Sequence, residues 1–139
     1  MPVAPQAIHD VASRLWQGTP VPKLTEPCVR TVAGRAYYSA YLSTREALRA
    51  AYGDPTYDVE HTPLATFMIG AGRPNLKLAG AMLKELRVAR ELADYELGAT
   101  LKHSSAEHLV DDALEIISLA PTLQAEFAAA LPVRCPRRP

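Results

Sequence analysis

The chain has 139 residues, of which 48% are hydrophobic and only 6% aromatic, so it has the size of one domain with a core built mainly from Ala, Leu and Val. Fifteen basic residues balance fifteen acidic ones, which argues against bulk attraction to nucleic acid or an anionic membrane but leaves room for a local basic patch. No apolar run reaches the roughly 18 residues of a membrane span, and the chain lacks the start of a secretory signal, so we expect a cytoplasmic protein with no membrane association.

Residues 1–27 are predicted to form a short amphipathic helix and an extended connector. Apolar residues recur on one side of residues 5–17. The next ten residues contain one glycine and three prolines, which exclude a helix. A second helix is predicted from about Cys28 or Thr31 to Tyr52, because Gly53 suits a C-terminal cap and a proline follows closely.

The rest of the chain also predicts helices, each bounded by residues typical of helix ends. Thr62 suits an N-cap with Pro63 in the first helical position, and Ser104 begins a capping box. The predicted helices are residues 63–70, 75–97, 104–119 and 122–131, with breaks at Gly98 and Pro121. Residues 132–139 are predicted to be a flexible basic tail. The expected fold is a single all-α domain over residues 1–139, an antiparallel bundle of about four main helices plus short ones.

Two of these helices carry an arginine within an inward-facing stripe. On a helical wheel the second helix places its tyrosines on one side and its serines on the other. The inward stripe contains Gly34, Tyr37, Tyr38, Tyr41, Arg45, Leu48 and Tyr52, and Ser39, Ser43, Glu46 and Ala50 lie opposite. The longest predicted helix has Arg90 in its apolar stripe and Asp94 four residues later, within reach of an ion pair. Because a buried guanidinium is costly unless it is paired, both arginines require an explanation.

Two interpretations of these arginines stay open at the level of sequence. In the structural one, Arg45 stacks on Tyr38 or Tyr41 and Arg90 pairs with Asp94, which fixes the register of the helices. In the functional one, the arginines border a basic groove that holds a phosphate or an unstacked base between aromatic faces.

Two stretches of the sequence resemble the conserved blocks of HEPN-domain proteins. The stretch "GRAYYSAYLSTREAL" resembles the first block, and "LKELRVARELADYELG" followed by "AEHLVDDALEIISLA" resembles the second. His61, which precedes a short helix, fits the layout of the small stand-alone members. The resemblance spans roughly residues 28–120 in the family's order.

The resemblance implies a HEPN-like bundle that forms a homodimer and belongs to a toxin–antitoxin or antiphage defence system. Such proteins bind RNA or nucleotide, many are metal-independent ribonucleases, and a nucleotidyltransferase or another defence protein is a frequent partner. Active members carry an Arg followed, after four to six residues, by a His. Arg90 matches that catalytic arginine, but Tyr95 occupies the histidine position.

The resemblance and the two stripes together give the predicted binding residues. They do not identify which residue would act as the general base in RNA cleavage. The predicted binding residues are Arg45, Tyr41, Tyr38, Arg87, Asp94, Tyr95 and His61. A tyrosine with a pKa near 10 is a poor base at neutral pH, so His61 replaces the missing histidine only if its loop folds back over Arg90.

The sequence predicts neither a metal nor a cofactor. Cys28 and Cys135 match no metal or redox spacing and are expected to be reduced thiols. His103 and His108 are five residues apart, whereas ligands on one helical face are three or four apart. The alternative function is a catalytically inactive dimeric adaptor that binds a protein partner encoded nearby, and the neutral charge and the absent histidine favour it.

Overall fold

The computed structural model describes the backbone of residues 26–95 and 103–139 and the side chains of residues 31–92 and 108–139. In these ranges it contains five helices and no strand. The helices are α1 (Glu26–Tyr52), α2 (His61–Gly70), α3 (Pro74–Tyr95), α4 (His103–Ser118) and α5 (Ala120–Ala130). The expected all-α bundle is therefore confirmed. The helix and connector predicted over residues 1–25, and the cap predicted at Gly98, lie outside the described residues.

Helix α1 is the centre of the bundle, because α3, α4 and α5 all pack against it, while α2 packs on α3. The largest fully buried side chains come from every helix: Tyr37, Leu48, Leu64, Met68, Leu76, Leu83, Leu86, Ile116, Leu123 and Phe127. Helix α1 ends where Gly53 takes a φ of +63°, a left-handed conformation that glycine adopts without the steric cost of a Cβ.

More than one face of α1 is buried, which corrects two predictions from the helical wheel. Ser39 and Ser43, assigned to the outer face, are buried, and Tyr38, assigned to the inner face, is 43% exposed. The buried polar group of Ser39 is satisfied within the helix, since its hydroxyl donates to the carbonyl of Ala36 at 2.9 Å. A helix packed by neighbours on several sides buries more than a single stripe, so one wheel sector does not describe α1.

Helix α2 begins one residue earlier than the predicted cap. Glu60 is the N-cap residue and makes no side-chain capping bond, and His61 is already helical. Thr62 therefore lies in the first turn, and the prediction that it is the N-cap is wrong. This shift places the side chain of His61 on the helix itself, next to α1 and α3.

The start of α3 is capped from α5 rather than by its own sequence. One carboxylate oxygen of Glu126 accepts the backbone N–H groups of Asn75 and Leu76 at 3.0 Å, and the other accepts the side-chain amide of Asn75 at 2.7 Å. An anion at a helix N-terminus satisfies unpaired N–H groups and complements the helix dipole. Glu126 therefore fixes α3 to α5.

The C-terminal segment, predicted from sequence to be a flexible tail, contacts the bundle around Cys135. Cys135 is fully buried, its amide donates to the hydroxyl oxygen of Tyr52 at 3.0 Å, and its carbonyl accepts the hydroxyl of Tyr57. The amide of Arg138 donates to the carbonyl of Asp58 at 2.8 Å. The segment is therefore held on the loop between α1 and α2, because buried tyrosine hydroxyls there need partners.

Within the described ranges, none of the helices combines the length and the apolar character needed to cross a lipid bilayer.

Candidate functional site

An open cleft lies where the start of α2, the second half of α3 and the C-terminal segment meet. Its volume is about 290 Å³. It is lined by Glu60, His61, Thr62, Arg87, Arg90, Glu91 and Arg138. Three arginines therefore face two carboxylates around one histidine, an excess of one positive charge among the lining residues of a chain with zero net charge.

The imidazole of His61 is held in place by two tyrosines of α1. Its Nδ1 shares a hydrogen bond with the hydroxyl of Tyr37, and its ring centroid lies 4.1 Å from that of Tyr41. Tyr41 is itself fixed, since its hydroxyl donates to the carbonyl of Val59 at 2.8 Å. With Nδ1 engaged, Nε2 is the ring nitrogen left to act on a ligand in the cleft.

Arg90 reaches the same cleft across the tyrosines of α1. Its guanidinium carbon lies 5.5 Å from the centroid of Tyr37 and 5.8 Å from that of Tyr38, distances at which a cation is attracted to an aromatic face. His61, the first residue of α2, and Arg90 line the same cleft; that His61 replaces the missing histidine stays a prediction.

The other two arginines of the cleft are tethered to its walls. Arg87 donates to the hydroxyl of Thr62, and its buried Nε is ion-paired with a carboxylate oxygen of Glu91 at 3.7 Å, which is longer than a hydrogen bond. Arg138 pairs with Asp58 at 3.1 Å and donates to the carbonyl of Val59 at 3.2 Å. Both guanidinium groups are therefore positioned before any anion arrives, which lowers the entropic cost of binding one.

The electrostatics of the cleft favour uncharged forms of its histidine and of the tyrosine behind it. Burial, followed by the positive charges of Arg90, Arg138 and Arg87, lowers the pKa of His61, and Asp58 opposes this only in part. Burial raises the pKa of Tyr37 well above its usual value. At neutral pH we therefore expect a neutral imidazole bonded to a neutral phenol, within a ring of arginines.

We expect an NMR titration to show that the pKa of His61 lies below the usual value of about 6.5. Replacing Arg90 with Gln removes one of the charges that disfavour the imidazolium, so the pKa of His61 should rise. Lys77→Gln is the control, because Lys77 is exposed on α3 and is not among the charges that shift this pKa. An unchanged pKa in Arg90→Gln would contradict the electrostatic account.

The same shift sets the direction of a pH effect on stability. The unfolded chain takes up a proton on this histidine at a higher pH than the folded protein does. The His61 contribution to the free energy of unfolding is therefore constant above pH of about 6.5 and decreases as the pH falls below it.

The remaining predicted site residues divide into those near the cleft and those outside the described side chains. The guanidinium of Arg45 lies 5.8 Å from the Tyr41 centroid, one of the two contacts that the structural interpretation offers. It also lies 3.7 Å from the carboxylate of Asp58, a pair that was not predicted, and it does not line the cleft. Tyr41 and Tyr38 border the site through the contacts above. The side chains of Asp94 and Tyr95 lie outside the described residues, so the predicted Arg90–Asp94 pair stays a prediction.

Two residues of the site, Tyr37 and Arg138, are not among the binding residues predicted from the sequence. Tyr37 was recognised as part of the inward stripe, and its proximity to Tyr41 was the available signal. No sequence feature indicated that Arg138 belongs to the site, because a segment rich in proline and arginine at the chain end is typical of a flexible tail.

No family model matches this chain, and searches of curated proteins and of solved structures found no match either. The HEPN resemblance and the homodimer that it implies therefore stay predictions.

Proposed function

We propose that this protein binds RNA at the cleft around His61 and cleaves it without a metal ion, as a HEPN-like component of a toxin–antitoxin or antiphage defence system. The observation that carries the proposal is that His61, Arg87 and Arg90 line one open cleft. A phosphodiester needs cations for its oxygens and a proton acceptor for its 2′-hydroxyl, and these three side chains are of the kinds that supply them.

The proposed reaction is an attack of the RNA on its own backbone. The 2′-oxygen forms a bond to phosphorus and the bond from phosphorus to the 5′-oxygen breaks. The proton of the 2′-hydroxyl passes to Nε2 of His61 and is then returned to the departing 5′-oxygen, so the imidazole ends neutral. The products are a 2′,3′-cyclic phosphate and a 5′-hydroxyl, while Arg90 and Arg87 stabilise the charge that develops on the phosphate.

The proposed reaction needs the tautomer of His61 in which Nδ1 is the donor of its hydrogen bond with Tyr37. When Nδ1 carries the proton and donates it to the Tyr37 oxygen, Nε2 is a free acceptor and hence a base. The low pKa of His61 keeps it unprotonated in the free protein. A phosphate in the cleft offsets the arginine charges, so the imidazolium formed by proton transfer becomes less unfavourable.

The first test is RNA cleavage by purified protein in the presence of EDTA. Wild-type protein should cleave, and Arg90→Ala should lower the rate by about 10²–10³-fold, the cost of removing one preorganised charge stabiliser. Lys77→Ala is the matched control, a cation lost from an exposed position of the same helix, and it should leave the rate within about twofold. Equal rates for the three proteins, or cleavage only with an added metal ion, would refute the ribonuclease proposal.

A second candidate function, the inactive dimeric adaptor, is favoured by the zero net charge of the chain and by Tyr95, which stands where the resemblance implies a catalytic histidine. If the protein neither cleaves nor retains RNA but forms a stable complex with a neighbouring gene product, such as a nucleotidyltransferase, this second function replaces the first.

A further inference from the structure

The cleft at His61 continues into a second depression between α2 and α3. This depression also has a volume of about 290 Å³ and is lined by Thr62, Ala65, Thr66, Ile69, Lys84 and Arg87. Thr62 and Arg87 line both depressions. The two therefore form one groove, which we call the α2–α3 groove, with Arg87 at its middle.

The second depression differs in chemistry from the first. Ala65 and Ile69 provide an apolar surface from α2, and the threonine hydroxyls lie on the same helix. On the α3 side there is a cation at each end, Arg87 next to the His61 cleft and Lys84 away from it. An apolar surface between two cations matches one nucleotide, whose flat base is apolar on its faces and whose two flanking phosphates are anionic.

Arg87 is constrained at the junction of the two depressions. Its guanidinium is bonded to Thr62, and its buried Nε lies 3.7 Å from a carboxylate oxygen of Glu91. Because Arg87 lines both depressions, it is the cation placed to pair with the phosphate of a strand that runs through the groove.

The groove changes character beyond Lys84. The next depression along α3 is lined by Ile69, Ala81, Lys84, Glu85 and Val88, so the next charged group after Lys84 is a carboxylate. A carboxylate repels a further phosphate, which limits the favourable part of the groove to a single nucleotide beyond the reacting phosphate.

We propose that the depression between Arg87 and Lys84 binds the nucleotide next to the reacting phosphate of single-stranded RNA. Its base lies against Ala65 and Ile69, and its outer phosphate pairs with Lys84. The inference rests on the proposed function, because it places the reacting phosphate at His61. It requires a single strand, since a paired base is stacked within a duplex and is not available to an apolar surface between two helices.

The test compares Lys84→Gln with Lys77→Gln, two exposed lysines of α3, for binding of 2′-O-methyl RNA, in which the nucleophile is blocked. A single-stranded hexanucleotide is followed by fluorescence anisotropy at several salt concentrations. Lys84→Gln should weaken its binding roughly two- to fivefold, the range given by an exposed ion pair. It should also reduce the slope of log affinity against log salt by about 0.7, the value for one phosphate contact on a single strand. Lys77→Gln should change neither quantity.

A dinucleoside monophosphate provides the control ligand, because its one phosphate occupies the His61 cleft. Its binding, followed by NMR, should weaken in Arg90→Ala and stay unchanged in Lys84→Gln. If Lys84→Gln binds the hexanucleotide like wild type, or weakens both ligands equally, or if duplex RNA binds as tightly as the single strand, the groove inference is overturned while RNA binding at the cleft stands. If wild-type protein binds neither ligand, the proposed function fails as well.

Discussion

Replacing His61 with Gln is expected to lower the rate of RNA cleavage by about 10²–10⁴-fold, the usual contribution of a positioned general base. Affinity for RNA should change by only a few-fold, because Arg87, Arg90 and Arg138 still line the cleft. Single-turnover cleavage in EDTA measures the first quantity, and binding of 2′-O-methyl RNA measures the second. A large loss of cleavage rate with little loss of RNA affinity is expected of a group that transfers the proton of the 2′-hydroxyl and does not bind the phosphate.

The matched control for this variant is His108→Gln. His108 is exposed on α4, where its ring lies 3.4 Å from the carboxylate of Asp112, so its loss should leave cleavage unchanged. Circular dichroism and thermal melting check that His61→Gln keeps the fold after losing the bond to Tyr37. Cleavage at the wild-type rate by a folded His61→Gln protein would eliminate His61 as the base.

The pair Gly80→Ala and Gly34→Ala is expected to change stability in opposite directions. A Cβ at Gly80 would lie 2.8 Å from the Cβ of Met68 and 3.2 Å from the carbonyl oxygen of Ala65, both rigid parts of α2. Forcing the two helices apart costs about 1–3 kcal/mol, more than the gain of about 1 kcal/mol from the helix propensity of alanine. We therefore expect the free energy of unfolding of Gly80→Ala to fall by up to about 2 kcal/mol.

Gly34 is the matched glycine in a helix without such a neighbour. A Cβ there meets nothing within 4 Å, so Gly34→Ala should raise the free energy of unfolding by about 0.5–1 kcal/mol through lower backbone entropy in the unfolded chain. Urea denaturation followed by circular dichroism measures both variants. A stabilised Gly80→Ala protein would mean that α2 and α3 are not in the close contact described above.

Gly80 also connects stability with the site. The close approach of α2 to α3 brings His61 and Thr62 opposite Arg87 and Arg90, and it defines both walls of the groove. A shift of the helices in Gly80→Ala should therefore weaken RNA binding as well as stability. If Gly80→Ala lost RNA affinity but kept its free energy of unfolding, a shift of the two helices would not explain the loss of binding.

The fold class followed from local features of the sequence, and so did most helix boundaries. Gly53 ends α1 as predicted, and the break before Pro121 separates α4 from α5. These signals are local because a helix end depends on the conformations and hydrogen bonds of a few adjacent residues. The start of α2 was missed by two residues, since Glu60 has no capping bond that a sequence pattern would reveal.

The sequence also identified unusual residues, the arginines within apolar stripes, but it did not show which residues they contact. The stripe predicted Tyr38 or Tyr41 as a neighbour of Arg45, and the structure places the guanidinium of Arg45 5.8 Å from the Tyr41 centroid. The wheel failed for Ser39, Ser43 and Tyr38 because it assumes a single buried face, whereas α3, α4 and α5 all pack against α1. How many faces are buried is a property of the packing and not of the helix.

By itself the sequence determined that the chain is helical, where most helices end, and that arginines lie among apolar residues. Only the tertiary structure decided that His61 meets Tyr37 and Arg90, that Arg138 joins them, and that the tail around Cys135 is packed. The physical reason is distance along the chain. Helical periodicity relates residues three and four apart, whereas residues separated by dozens of positions approach only when entire helices pack and bury their shared surface.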